Sequence, residues 1–327
     1  MPFRVRPLAL ALGLCAATAL SSAASAFTAY VSNEKDNTVS LIDTATLEVV
    51  KTVDVGNRPR GITISHDGAR LYVCTSDDDT VQVYDAKTME LLYDLPSGPD
   101  PELFVLAPAG DLLYIANEDD ALVTVVDVAT KKVVAEIPVG VEPEGMGVSP
   151  DGKFVVNTSE TTNMAHIIDT ATHEIVDNVL VDSRPRFAEF TPDGKELWVS
   201  AEIGGTVSVI DMASRQITGK IDFEIQGVPK EAIQPVGVRV TADGKKALVA
   251  LGPSNRVAVV DVASKKVEKY LLVGQRVWQI AFTPDGKLAF ATNGNSNDVS
   301  VIDMANFEVV KSIAVGGLPW GVVVSPN

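Results

Sequence analysis

Thr206-Val207-Ser208-Val209-Ile210-Asp211 is a β-branched run closed by an aspartate, and the same pattern returns along the chain. The closing aspartates are Asp43, Asp85, Asp127, Asp169, Asp211, Asp261 and Asp303, separated by 42, 42, 42, 42, 50 and 42 residues. A fixed period of this length marks one supersecondary unit copied in tandem. The single longer step comes from eight extra residues between Ile221 and Pro235.

Each copy reads as four short strands. In one of them Gly145–Ser149, Val155–Thr158, Ala165–Asp169 and Glu174–Val179 are the strands, here termed a to d. Pro150-Asp151-Gly152-Lys153 and Asp169-Thr170-Ala171-Thr172 are turn chemistry, because proline presets φ and glycine accepts positive φ. Valine and isoleucine crowd the intervening segments, as buried strands require. No stretch sustains a 3.6-residue period, so the class is all-β.

A lone four-stranded sheet cannot bury both faces, and stacking seven copies around an axis does so. The predicted fold is therefore a seven-bladed β-propeller spanning residues 27–327 as one domain. The two ends complement each other. Ala29–Ser32 is a strand b with no strand a before it, and Gly321–Ser325 is a strand a with nothing after it. The C-terminal strand is expected to complete the N-terminal blade and close the ring, leaving no unprotected edge.

Residues 1–26 read as a signal peptide. Arg4 and Arg6 precede an apolar run from Leu8 to Leu20, and Ala24-Ser25-Ala26 is a small-x-small cleavage site before Phe27. The apolar run is shorter than the roughly 20 residues of a spanning helix. The expected location is periplasmic or secreted, without a membrane span.

Tyr30-Val31-Ser32-Asn33, Tyr114-Ile115-Ala116-Asn117 and Thr206–Asp211 resemble the YVTN β-propeller repeat over Phe27 to Asn327. A secreted chain of seven such repeats is most similar to the periplasmic propellers associated with pyrroloquinoline-quinone-dependent alcohol catabolism. That resemblance implies a quinoprotein dehydrogenase or a transport-system component as partner.

The formal net charge is −16. Such an acid excess repels phosphate backbones, which argues against nucleic acid as a partner. Only Cys74 lies beyond the leader, so no internal disulfide is expected, and its alignment with Ser32, Ala116 and Thr158 reads as a small buried strand residue. His66, His166 and His173 fall in different repeat positions, which argues against a shared zinc site. No Cys-x-x-Cys-His, calcium loop or Gly-x-Ser-x-Gly elbow occurs. No cofactor, metal or catalytic residue is assigned from sequence.

The repeat's departures from itself point to the top face, where the d–a and b–c loops meet. The residue leading into strand a, nearest the axis, is Arg60, Glu102, Glu144, Arg186, Val236, Trp278 and Trp320 in successive copies. The b–c loops add Glu34, Glu118, Glu160 and Glu202 as an acidic rim, and Arg58, Arg184 and Arg276 flank the loop proline positions, the last of which holds Val277. The mixture suggests a mouth with a charged wall and an aromatic wall, suited to a small amphipathic ligand or a partner's side chain. The extra residues after Ile221 are placed to overhang it.

The primary expectation is a non-enzymatic binding propeller, in which Trp320→Ala abolishes capture and leaves the melting temperature nearly unchanged. The alternative is a lactonase-like hydrolase or isomerase, with Glu102 and Glu144 as acid and base and an arginine on the oxyanion. A nucleic-acid-binding YVTN propeller ranks last.

Overall fold

The computed structural model describes residues 1–3 and 27–326. Most of the proposed signal peptide, residues 4–26, lies outside the described residues. The described residues form seven four-stranded antiparallel sheets, β1 to β28 in chain order. No helix among them is long and apolar enough to cross a membrane.

Blade 1 has the strand order β28-β1-β2-β3, with β1 at Thr28–Asn33, β2 at Thr38–Asp43, β3 at Glu48–Asp54 and β28 at Pro319–Val324. The expected closure is therefore present. Ala29, Tyr30 and Val31 pair with Val324, Val323 and Val322, and the Gly321 amide donates to Ser32 Oγ at 2.9 Å. Blades 2 to 7 each take four consecutive strands.

The seven first strands form the inner wall. They are β4 (Pro59–Ile64), β8 (Pro101–Leu106), β12 (Pro143–Val148), β16 (Pro185–Phe190), β20 (Val238–Val240), β24 (Val277–Phe282) and β28. Each touches the next, and β24 meets β28 while β28 meets β4, so the wall is a closed ring.

The repeated aspartates have a local task. Asp43 accepts the amides of Ala45 and Thr46 at 2.8 Å, and Asp127 accepts Thr130's amide and hydroxyl at 2.6 and 2.9 Å. These hydrogen bonds hold the c–d turn and favour the ionised carboxylate, so both aspartates titrate below the ordinary range. The aspartates of the a–b turns do the same. Asp151 and Asp193 are pulled down to about 2, chiefly by the adjoining lysine and a serine or threonine hydroxyl.

The core lies between blades. Tyr72, Cys74, Val81 and Leu95 of blade 2 pack on Phe104, Leu113 and Ile115 of blade 3. Ala29, Val31 and Val322 of blade 1 pack on Phe290, Val299 and Val301 of blade 7. Burying apolar area at about 25 cal/mol per Å² is what holds such a ring together. Cys74 is fully buried in this packing, and burial pushes its thiol well up.

Candidate functional site

The residue before each inner-strand proline sits in the left-handed region: Arg58 at φ 51°, Arg184 at 60° and Leu318 at 51°, with Arg276 at 57° in the same register. That conformation costs a non-glycine residue about 1–2 kcal/mol. An asparagine from the preceding blade holds it, since Asn37, Asn163 and Asn255 accept the amides of Arg58, Arg184 and Arg276 at 2.9, 3.0 and 2.9 Å. The turn thereby aims three arginines at the top of the axis.

Two ion-pair nests result. In the first, Arg60 Nη1 donates to both oxygens of Glu102 at 2.6 Å, and Arg58 donates to Glu102 and Asp100 at 2.8 and 2.6 Å. Glu34 lies 3.1 Å from Arg60. In the second, Arg186 Nη1 donates to Glu160, and Arg184 Nε lies 2.7 Å from Glu160 and 3.2 Å from Glu202. Arg276 donates to Glu202 and Gln234, each at 2.6 Å. Glu144 stands beside the second nest, 3.1 Å from Arg186 Nη2.

The structure thus brings Arg60, Glu102, Glu144, Arg186, Glu34, Glu160 and Glu202 together, with Glu118 against Glu102. It corrects how two of them, and Trp320, were pictured. Glu160 and Glu202 are 3% and 4% exposed rather than an open rim. Trp320 is 1% exposed, so it is packing rather than a free contact surface. The aromatic and charged walls also are not separate. Arg60 faces Trp320 at 5.7 Å, and Arg276 and Arg186 face Trp278 at 4.1 and 5.7 Å. Glycine replaces the b–c loop glutamate at Gly294 because a Cβ there would lie 2.5 Å from the Trp278 indole nitrogen.

The longer d–a loop packs down instead of hanging over the mouth. Phe223 and Ile233 join the core between blades 5 and 6, and the Glu224 amide donates to Tyr270 OH at 3.0 Å. Only its last part, Gln234, reaches the rim through Arg276.

Carboxylates outnumber guanidiniums here, and burial disfavours their charge. Glu102 is raised to about 7, by desolvation first and the neighbouring Glu144 second, against Arg60. Glu118 is raised to about 8 by desolvation and by Glu102. Desolvation also raises Glu144, opposed by Arg186. Asp100, Glu102 and Glu118 each place an oxygen within 4.8 Å of the others. Arg58 and Arg60 already supply the positive charge for that trio, so no metal is assigned to it.

Four blades carry buried polar atoms without a hydrogen-bond partner at this level: both oxygens of Glu144, Arg186 Nε, both amide atoms of Gln279 and Trp320 Nε1. Buried polar groups are normally satisfied, so such a concentration singles out this part of the molecule. Sequence reading missed Gln279. Its register position holds Gly61, Leu103, Gly145, Phe187, Gly237, Gln279 and Gly321. The glycines are forced, since a Cβ on Gly145 would lie 2.8 Å from Arg186 O and one on Gly237 2.6 Å from Trp278 O. A glutamine in so crowded a position was the available signal.

The model of the lactonase seven-bladed β-propeller family matches residues 23–137 and 148–308, more than half of the chain. The chain belongs to that lactonase propeller family. A shorter match, of residues 103–182 to the cytochrome D1 heme domain, covers two blades. No curated protein matches the chain in sequence. Among solved structures it is similar to the hydrazine synthase of Kuenenia stuttgartiensis, with 24% identity, 85% of this chain and 92% of that one covered, and a TM-score of 0.78. It is also similar to a candidate 6-phosphogluconolactonase of Bacteroides uniformis, with 17% identity, coverage of 91% and 99%, and a TM-score of 0.78. A Desulfotomaculum acetoxidans protein of unknown function shares 16% identity over 92% and 99%, with a TM-score of 0.77. These structural likenesses speak for the fold alone.

Proposed function

We propose that this lactonase-family propeller opens or rearranges a small polar lactone on its axis, with Glu144 as the general base. One observation carries the reading. Glu144 is buried beside a cation and accepts no hydrogen bond, while Arg186 Nε, on the same pair, donates none. A base with free lone pairs and a donor with a free N–H are the two parts needed to activate water and hold an oxyanion.

In hydrolysis, Glu144 takes a proton from water and the hydroxide adds to the lactone carbonyl carbon. The developing oxyanion takes the Arg186 Nε–H. The ring C–O bond then breaks, and its alkoxide takes a proton from the Glu102–Glu118 pair. Glu118, raised to about 8, holds that proton at neutral pH. Gln279 and Trp320 Nε1 supply further polar contacts for a hydroxylated ring. A panel of sugar and aliphatic lactones tests the reading. Turnover that falls at least 100-fold in Glu144→Gln supports it, and a panel with no turnover ends it.

The closure of the mouth favours a second reading. Glu102, Glu144 and Arg186 are 0%, 1% and 5% exposed, which suits a rim that docks a protein more than an open cleft. In that reading the exported chain serves a quinoprotein dehydrogenase or a transport component in the periplasm. Affinity capture from the periplasm separates the two. N-terminal sequencing of the exported protein should begin at Phe27.

A further inference from the structure

Below the ring residues the axis opens again into a chamber of about 200 Å³ on the bottom face. Its lining is mixed: Ile62, Val105, Met146 and Val148 from blades 2 to 4 give an aliphatic part, Thr63 and His66 a polar one, and Leu103 and Phe187 also line it. These last two follow Glu102 and Arg186 of the ion-pair nests in sequence.

One charged side chain lines the chamber. Arg239 donates through Nε to Ile280 O at 3.0 Å and through Nη1 to Glu189 at 2.9 Å. Its guanidinium stacks on Phe187 with 4.6 Å to the ring centroid. Glu189 is held in turn by the Val240 amide at 3.2 Å. The plane of the guanidinium is thus fixed on three sides. Its Nη2 makes no hydrogen bond among the described residues, and the side chain stays 34% exposed.

We infer that this chamber is a second binding site, for a small uncharged apolar molecule carrying one carbonyl-type acceptor. The aliphatic part of the lining suits an apolar body, and the fixed Nη2 edge of Arg239 offers donors to an oxygen. Glu189 balances the charge of Arg239, and the chain as a whole carries −16, so nothing favours an anion over a neutral carbonyl. A volume below the 300–1,000 Å³ of drug-sized sites limits the occupant to a small one. The site is independent of the lactone reading, because none of the residues given a role there lines it.

The test is calorimetric titration of the full chain with 2-heptanone, heptanoate and heptane-1-sulfonate. Saturable 2-heptanone binding, tighter than that of either anion, is expected. Val105→Trp, which fills the chamber, should abolish it, and Arg239→Lys should weaken it about tenfold through loss of the planar donor edge. Glu144→Gln should leave it unchanged, so the result stands apart from the lactone panel. Should Val105→Trp fail to fold, Val148→Phe serves in its place. No 2-heptanone binding, binding that survives a folded chamber-filling variant, or preference for heptanoate would each overturn the inference.

Discussion

Glu144 Oε1 lies 3.1 Å from Arg186 Nη2, yet neither Glu144 oxygen accepts a hydrogen bond and Arg186 Nε donates none. The pair is close enough to attract and poorly aligned for bonding. Removing its two members should therefore have opposite costs. Glu144→Gln deletes a desolvated charge and should leave the melting temperature equal or higher. Arg186→Met takes from Glu144 its ion-pair partner and from Glu160 one of its two arginines, in a buried setting, and should cost about 3–5 kcal/mol. Denaturant melts of both variants check this, and equal losses would contradict it.

The carboxylates set a pH dependence whose sign can be worked out. An unfolded glutamate titrates near 4.3, whereas Glu102 and Glu118 are raised to about 7 and about 8. Between those values the folded chain binds more protons than the unfolded one, so stability falls as pH rises. The a–b turn aspartates act oppositely. Asp151 and Asp193, lowered to about 2, contribute stability above the unfolded value that is lost as pH falls towards 2. Melting temperature should peak near roughly pH 4 and decline toward pH 8. Thermal scans across this range check it, and Glu118→Gln should flatten the upper limb.

The fold was legible because each element needed only local information. The closing aspartates mark turns that they hold by their own hydrogen bonds, and the two incomplete ends declare their pairing. The site was legible only by position. Arg60, Glu102, Glu144 and Arg186 could be placed at the axis by register, but their partners lie one or more blades away. Arg58 meets Glu102, and Arg276 meets Glu202, across 44 and 74 residues. Which guanidinium reaches which carboxylate depends on side-chain reach around a ring, and no spacing within one repeat encodes it. That is why Glu160 and Glu202 read as an exposed rim and are buried. Arg239 and Glu189 were overlooked for a related reason. They share a register position with Thr63, Val105 and Gly147, and their charges match only across neighbouring blades.

The two tryptophans at the axis should behave differently. Trp320 is 1% exposed, and its carbonyl accepts from Thr292 Oγ1 at 2.7 Å. Trp320→Ala should cost about 3–5 kcal/mol, reversing the expectation of an unchanged melting temperature. Trp278 is half-buried under Arg276. Its alanine variant should cost less and should free Arg276 and Arg186, so ligand binding changes more than stability. Paired melts and lactone kinetics distinguish the two.

Ring closure depends on β28 rather than on where the chain is cut. Val322 and Val324 pack in the cluster between blades 1 and 7, and Val323 packs in that between blades 1 and 2. Deleting residues 319–327 should uncover both clusters, leave the edge of β1 unpaired and abolish cooperative unfolding. The Thr28 amide donates to Ser325 Oγ at 2.9 Å, so the two ends of the propeller are neighbours. A circular permutant joining residue 327 to residue 27 through a short linker, and opening at the Pro150–Gly152 turn, should keep every sheet. Its circular dichroism should match that of the original chain and its melt should stay cooperative. If the truncated chain melts normally, or the permutant fails to fold, closure by β28 is not what stabilises the ring.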